Sequence, residues 1–224
     1  MHDHEHGHDH GAEAHAHDDH AEDHGHDHAP VAKDEKIHGY YQLLGLALKE
    51  LLVEKGIVTA DEMRKAIESR DAITPAMGAK VVAKAWTDPD YKARLLADGV
   101  AGVKELGIDP GATNLVIVEN TPKVHNVIVC TLCSCYPRMV LGLPPSWYKS
   151  REYRARVVRE PRVVLAEFGT LLPDDVDVRV HDSTADMRYL VLPMRPQRTE
   201  GLSEDALAEC VTRDCMIGVA VPAA

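Results

Sequence analysis

The sequence predicts an α+β chain: an N-terminal helical arm followed by a layered α/β half with short strands around a cysteine cluster. Two observations carry the fold class. Leucines recur at helical spacing after Tyr40, and the texture changes beyond residue 108 to short strand-like runs rich in β-branched residues, Leu115–Val118 and Asn126–Val129. A third fixes where the chemistry sits. Cys130, Cys133 and Cys135 follow directly on one of those runs. The expected organisation is a His/Asp-rich tail over residues 1–32, a helical arm over 33–108 and an α+β half over 109–224.

The tail is low-complexity sequence that cannot bury a core, and it is expected to be disordered without metal. After it, Leu43, Leu44, Leu48, Leu51 and Leu52 mark a first helix with Gly56 as its stop. Thr59-Ala60-Asp61-Glu62 is a capping box that opens a second helix toward Ser69. A third helix spans Met77 to Trp86. Thr87-Asp88-Pro89 then caps a fourth, which carries Tyr91, Leu95 and Leu96 toward Gly107. Leu115–Val118 and Asn126–Val129 read as strands around a turn at Asn120-Thr121-Pro122. Pro144-Pro145 ends the cysteine segment, and Ser146 is the expected cap of a helix carrying Tyr153, Val157 and Val158. Asp177–Val180 and Tyr189–Leu192 read as a second strand pair, and Ser203 as the cap of a last helix through Val211.

Composition narrows the function. The first thirty residues hold eleven of the fourteen histidines, nine acids and no Lys or Arg. Taking those nine charges from the formal −11 leaves −2 for the rest, so no basic nucleic-acid footprint is present. No stretch approaches the roughly 18 apolar residues of a membrane span, and the N-terminus has neither the basic nor the apolar region of a signal peptide. Three of five cysteines within six residues suit reduced thiols, not a disulfide framework, and a cytoplasmic location is expected.

Cys130-Thr131-Leu132-Cys133-Ser134-Cys135 can bring three sulfurs to one point if the backbone folds tightly over them. The amide nitrogens of Ser134 and Cys135 would then lie between the thiolates and could serve as ligands to an acidic metal. Five donors leave a sixth position open, which is what a catalytic metal needs. The competing reading is tetrahedral zinc, which usually takes four side-chain ligands, and Cys210 and Cys215 lie far downstream without paired spacing. Spacing alone leaves both open.

Val129 to Cys135 resembles the metal-claw signature of nitrile hydratase α subunits. The similarity continues through Tyr136-Pro137, Leu141-Gly142-Leu143-Pro144-Pro145, Trp147-Tyr148-Lys149-Ser150, Val157 to Arg162 and Thr212 to Gly218. Upstream, Gly78 to Val82 and Ala85 to Pro89 also fit. The resemblance implies an enzyme that hydrates a small nitrile to the amide together with a β subunit, as αβ or α2β2, with an activator or metallochaperone for loading. It implies one low-spin Co(III) per chain, with Thr131 marking the cobalt class over Fe(III). The implied metal ligands are Cys130, Cys133, Ser134 and Cys135, with Cys133 as sulfinate and Cys135 as sulfenate. Catalysis would fall to Cys135, Ser134 and Cys133, by Lewis-acid polarisation of the nitrile and attack of water or the Cys135 sulfenate oxygen. The γ subunit of thiocyanate hydrolase shares the claw and is the alternative; a metal-storage or delivery protein is a weaker one.

Two departures bear on substrate: Arg138 stands where the family often has Trp, and Gly111 lies near a pocket Gln of some iron enzymes. The His-rich tail reads as a metal-capture segment or a solvated spacer. His125 and His181 read as strand residues and Cys210 and Cys215 as packed thiols. Lys149, Arg154 and Arg159 read as a solvated face or as claw support, and Arg188 as part of a network near Asp182 and Ser183.

Overall fold

The structure, a computed structural model, describes residues 39–223, so the tail expected over residues 1–32 lies outside the described residues. The described residues fall into two units, divided between Lys55 and Gly56. In the first, Tyr40–Glu54 forms α1, as the leucine spacing predicts. None of its residues is buried, and Leu43, Leu44, Leu48 and Leu51 are exposed.

The second unit opens with α2 (Ala60–Asp71). Its capping box is present: the Glu62 amide donates to Thr59 Oγ1 at 3.1 Å and the Thr59 amide to the Glu62 carboxylate at 2.8 Å. Next come α3 (Pro75–Thr87) and α4 (Pro89–Ala97), the latter capped by Asp88, which accepts from the Tyr91 amide at 2.9 Å. The stretch toward Gly107 is not one helix. Asp98 adopts extended backbone and caps a separate α5 (Gly99–Glu105).

The strands are β1 (Asn114–Glu119), β2 (Val124–Val129), β3 (Asp177–Asp182) and β4 (Met187–Leu192). The expectation that β3 and β4 pair with each other is corrected. β1 pairs with β4 and β2 with β3, both parallel, in two separate two-stranded sheets. The reason is burial. β2 is buried over five of its six residues, which suits strands covered on both faces more than a half-solvated hairpin.

Side chains join the two sheets. Asn126 of β2 donates from its side chain to the Glu119 carbonyl at the end of β1 at 2.8 Å, and its amide donates to Asn120 Oδ1 at 2.7 Å. His181 of β3 lies 2.8 Å from Asn126 Oδ1 through Nε2. His125 and His181 are thus strand residues held by hydrogen bonds.

Five short helices complete the unit: α6 (Arg138–Leu141), α7 (Arg151–Arg156), α8 (Pro161–Glu167), α9 (Glu204–Glu209) and α10 (Arg213–Ile217). Ser203 caps α9 as expected, but the chain turns again at Thr212, which caps α10. Ser146 caps nothing, because it takes helical backbone itself in a single 3-10 turn; Ser150 caps α7 instead, accepting from the Tyr153 amide at 3.1 Å. Val81, Val82, Leu95, Ile128, Leu141, Leu165, Leu190 and Met216 form one core shared by helices and strands. Each such side chain contributes roughly 1.5–3 kcal/mol on burial. Among the described residues no helix is long and apolar enough to cross a membrane.

Candidate metal centre

β2 delivers the chain into the cysteine segment at its buried end. Cys130 is 1% exposed and the following residues turn outward. The turn is pinned from four sides. Thr131 donates from its amide to Asp182 Oδ1 at 2.9 Å and from its hydroxyl to Asp182 Oδ2 at 2.6 Å. Arg154 of α7 donates to the Cys133 carbonyl at 3.1 Å, and Tyr148 to the Cys135 carbonyl at 2.9 Å. Tyr153 holds the strand before the turn through the Ile128 carbonyl at 2.8 Å. These two tyrosines stand in an aromatic cluster with Trp147, whose ring centroid lies 4.8 Å from that of Tyr153.

The three sulfurs meet. Cys130 Sγ lies 3.3 Å from Cys133 Sγ, which lies 3.2 Å from Cys135 Sγ, and all three fall within 4.8 Å of one another. The hydrogen bond with the Cys135 thiol, and next that with the Cys130 thiol, lower the Cys133 thiol to about 7, and the Cys133 amide donates to Cys130 Sγ at 3.3 Å. Burial, and next the hydrogen bond with Cys133, push Cys135 up to about 12. The crowding thus sets Cys133 and Cys135 apart, the first losing its proton readily and the second resisting the loss.

The donor set fits a metal, and its spacing bears on the type. Two sulfurs bound at roughly 2.3 Å stand about 3.8 Å apart at tetrahedral angles and about 3.3 Å apart at right angles. Two of the three separations, 3.2 and 3.3 Å, lie nearer the right-angled value, and the third is within 4.8 Å. Among the described residues no fourth Cys, His, Asp or Glu joins the group, so a four-ligand zinc site has no partner here.

The other sequence candidates divide clearly. Arg154 supports the turn, whereas Arg159, in the turn after α7, bonds back to the Ala155 carbonyl and Lys149 is exposed. Arg188 bonds to the carbonyls of Thr184 and Met187, and Asp182, expected in its network, is committed to Thr131 instead. Cys215 is buried against the Thr212 hydroxyl, and Cys210 faces the Ala206 carbonyl, so neither reaches the sulfurs. Sequence reasoning missed Asp182 and Tyr148 as supports. Their only signal is spatial, across fifty-one and thirteen residues of chain.

Beside the turn, Tyr136 and Pro137 open a cleft of ≈ 390 Å³ that also contains Gly111, Arg138 and Arg188. The two substrate-related departures in the sequence thus line one cavity.

Comparison with known proteins follows the same residues. The sequence model described as nitrile hydratase, alpha chain, matches residues 40–220. The chain is 51% identical over 180 residues to the low-molecular weight cobalt-containing nitrile hydratase subunit alpha of Rhodococcus rhodochrous, covering 79% of this chain and 86% of that one. A solved recombinant thiocyanate hydrolase with partially modified cobalt centres superposes with TM-score 0.77 at 45% identity, covering 83% of this chain and 91% of that chain. An Fe-type nitrile hydratase variant from Comamonas testosteroni Ni1 superposes with TM-score 0.73 at 49% identity, covering 81% and 90%. With its three converging sulfurs and a match running from α1 to beyond α10, the chain belongs to the nitrile hydratase alpha-chain family.

Proposed function

We propose that this chain is the α subunit of a cobalt nitrile hydratase, which adds water across a C≡N bond to give the amide. The observation that carries the reading is the convergence of Cys130, Cys133 and Cys135, whose three sulfurs all fall within 4.8 Å of one another. The sulfurs of all three and the amide nitrogens of Ser134 and Cys135 would hold one Co(III). Bound there, Co(III) supplies Lewis acidity toward the nitrile nitrogen.

This chain's residues supply the rest. Cys133 is exposed and Cys135 half-buried, so both sulfurs are open to oxidation, to sulfinate and sulfenate respectively, whereas Cys130 is shielded. Oxidation withdraws electron density from the sulfurs and places oxygens at the mouth of the site. The Ser134 hydroxyl, exposed between the two, is placed to orient the water whose oxygen bonds to the nitrile carbon while its two protons pass to nitrogen. Asp182, Arg154 and Tyr148 hold the turn rigid around these groups.

Leu132 is 90% exposed at the tip of the turn, an apolar side chain this chain leaves uncovered. That supports a β subunit closing over the claw, in an αβ unit that assembles as α2β2 in the cytoplasm, with an activator protein loading cobalt. Thr131 favours cobalt over iron, although the family holds both kinds. The second reading, thiocyanate hydrolysis, is favoured by Arg138 in the cleft and by the likeness to thiocyanate hydrolase.

The test is coexpression with the β subunit in cobalt medium. The complex is expected to hydrate acrylonitrile well and turn over thiocyanate poorly, and Cys135→Ala to abolish hydration. A clear preference for thiocyanate reverses the choice of substrate, and retained turnover in Cys135→Ala removes Cys135 from the site.

A further inference from the structure

The cleft beside the cysteine turn has a chemical character that the nitrile reading does not use. Three arginines line it, each from a different element: Arg70 at the end of α2, Arg138 at the start of α6 and Arg188 in β4. The Arg188 guanidinium is held by the Thr184 and Met187 carbonyls, which leaves Arg70 and Arg138 for a ligand. No carboxylate is among the residues lining it. Among the described residues neither Arg70 nor Arg138 is paired with an acid, while other arginines of the unit, such as Arg64, Arg94 and Arg156, carry carboxylate partners. The remaining wall is largely apolar, with Ile73, Leu115 and Met139. Like charges gathered on a concave surface repel one another and concentrate an anion there. Guanidinium is also the group whose paired N–H donors match a carboxylate.

We propose that this cleft selects an organic nitrile bearing a carboxylate over a neutral nitrile of the same shape. The inference rests on the nitrile hydration reading and names its substrate class. Arg138 and Arg70 would hold the carboxylate and the apolar wall the carbon body; Tyr136, which directly follows Cys135, is the lining residue that connects the cleft to the cysteine turn, so the C≡N end would lie there. Thiocyanate shares the negative charge but has three heavy atoms. It has no carbon between its charged sulfur and its cyano carbon, so nothing in it can rest on the apolar wall while the charge is held.

The experiment uses the cobalt-loaded complex with its β subunit and a pair of near-isosteric nitriles: cyanoacetate, and isovaleronitrile, in which an isopropyl group replaces the carboxylate. Thiocyanate is assayed alongside. The expected kcat/KM ratio favours cyanoacetate by about tenfold or more at low salt, the size of a lost charge-assisted hydrogen bond. That ratio should fall as ionic strength rises from about 0.01 to about 0.15 M, where the Debye length shrinks from roughly 30 to 8 Å. Arg138→Met and Arg70→Met should each lower the ratio by about tenfold, mainly through the KM for cyanoacetate. A ratio also cancels any general loss of activity.

A complex that hydrates isovaleronitrile as well as or better than cyanoacetate overturns the inference and leaves the nitrile reading intact. So does a preference for cyanoacetate that ignores both salt and Arg138→Met. A complex that turns over thiocyanate and neither nitrile overturns the nitrile reading itself, and this inference with it.

Discussion

Thr131 makes two hydrogen bonds to one carboxylate, and that pair anchors the first step of the cysteine turn. Replacing it by Val keeps the shape and removes the hydroxyl, leaving Asp182 with the amide alone. The pair is exposed, so the expected loss is about 1 kcal/mol, not the larger value of a buried charged bond. Thermal unfolding of Thr131→Val in the complex measures it, and cobalt content should fall with it. The two strand histidines act differently. Burial lowers the pKa of both from the ordinary 6.5, with Arg179 adding to the effect at His181. Each folded value lies below the unfolded one, so the neutral ring is the form that folding favours. Their contribution is complete above about pH 6.5 and is lost as pH falls below it, because the unfolded chain takes up the proton first. The midpoint of unfolding should therefore drop between about pH 7.5 and about 5.5, with a shallower slope in His125→Gln. An equal slope in that variant would remove His125 from the account.

At the scale of elements, what could be read in advance was local and what could not was pairing. Thr59, Asp88 and Ser203 were legible as caps because a cap is a matter of a few neighbouring residues. Ser146 misled because Pro145 precedes a 3-10 turn there, and the extended backbone a cap needs arrives only at Ser150. The parallel pairing of β1 with β4 and β2 with β3 was not legible, since its partners lie more than fifty residues apart. One contact makes that arrangement testable. Gly218 closes α10 with φ +92°, and a Cβ there would stand 2.0 Å from the Asn126 carbonyl oxygen of β2. Gly218→Ala should therefore destabilise the unit by about 3 kcal/mol or more, through overlap and a strained left-handed residue. Denaturant unfolding reads this directly; a loss under about 1 kcal/mol would mean that α10 does not dock on β2 so closely.

At the scale of the molecule, the family and the sulfur cluster were legible because a claw compresses its chemistry into six consecutive residues, Cys130 to Cys135. The supports and the cleft were legible only in part: Arg154, Arg138, Gly111 and Arg188 stood out in the sequence. The bonds of Asp182 and Tyr148 to the turn and the place of Arg70 in the cleft did not, because they join separate elements. Rigid support from several directions and an open, apolar tip at Leu132 fit a half-site that a second subunit completes.

The central claim is that the three cysteines hold one cobalt in an oxidised claw. Native mass spectrometry of this chain within the active complex, followed by peptide fragmentation under gentle handling, reads both parts together. The expected result is one cobalt per chain and three added oxygens, two on Cys133, one on Cys135 and none on Cys130. Fully active chains carrying zinc, or three unmodified thiols, would contradict it.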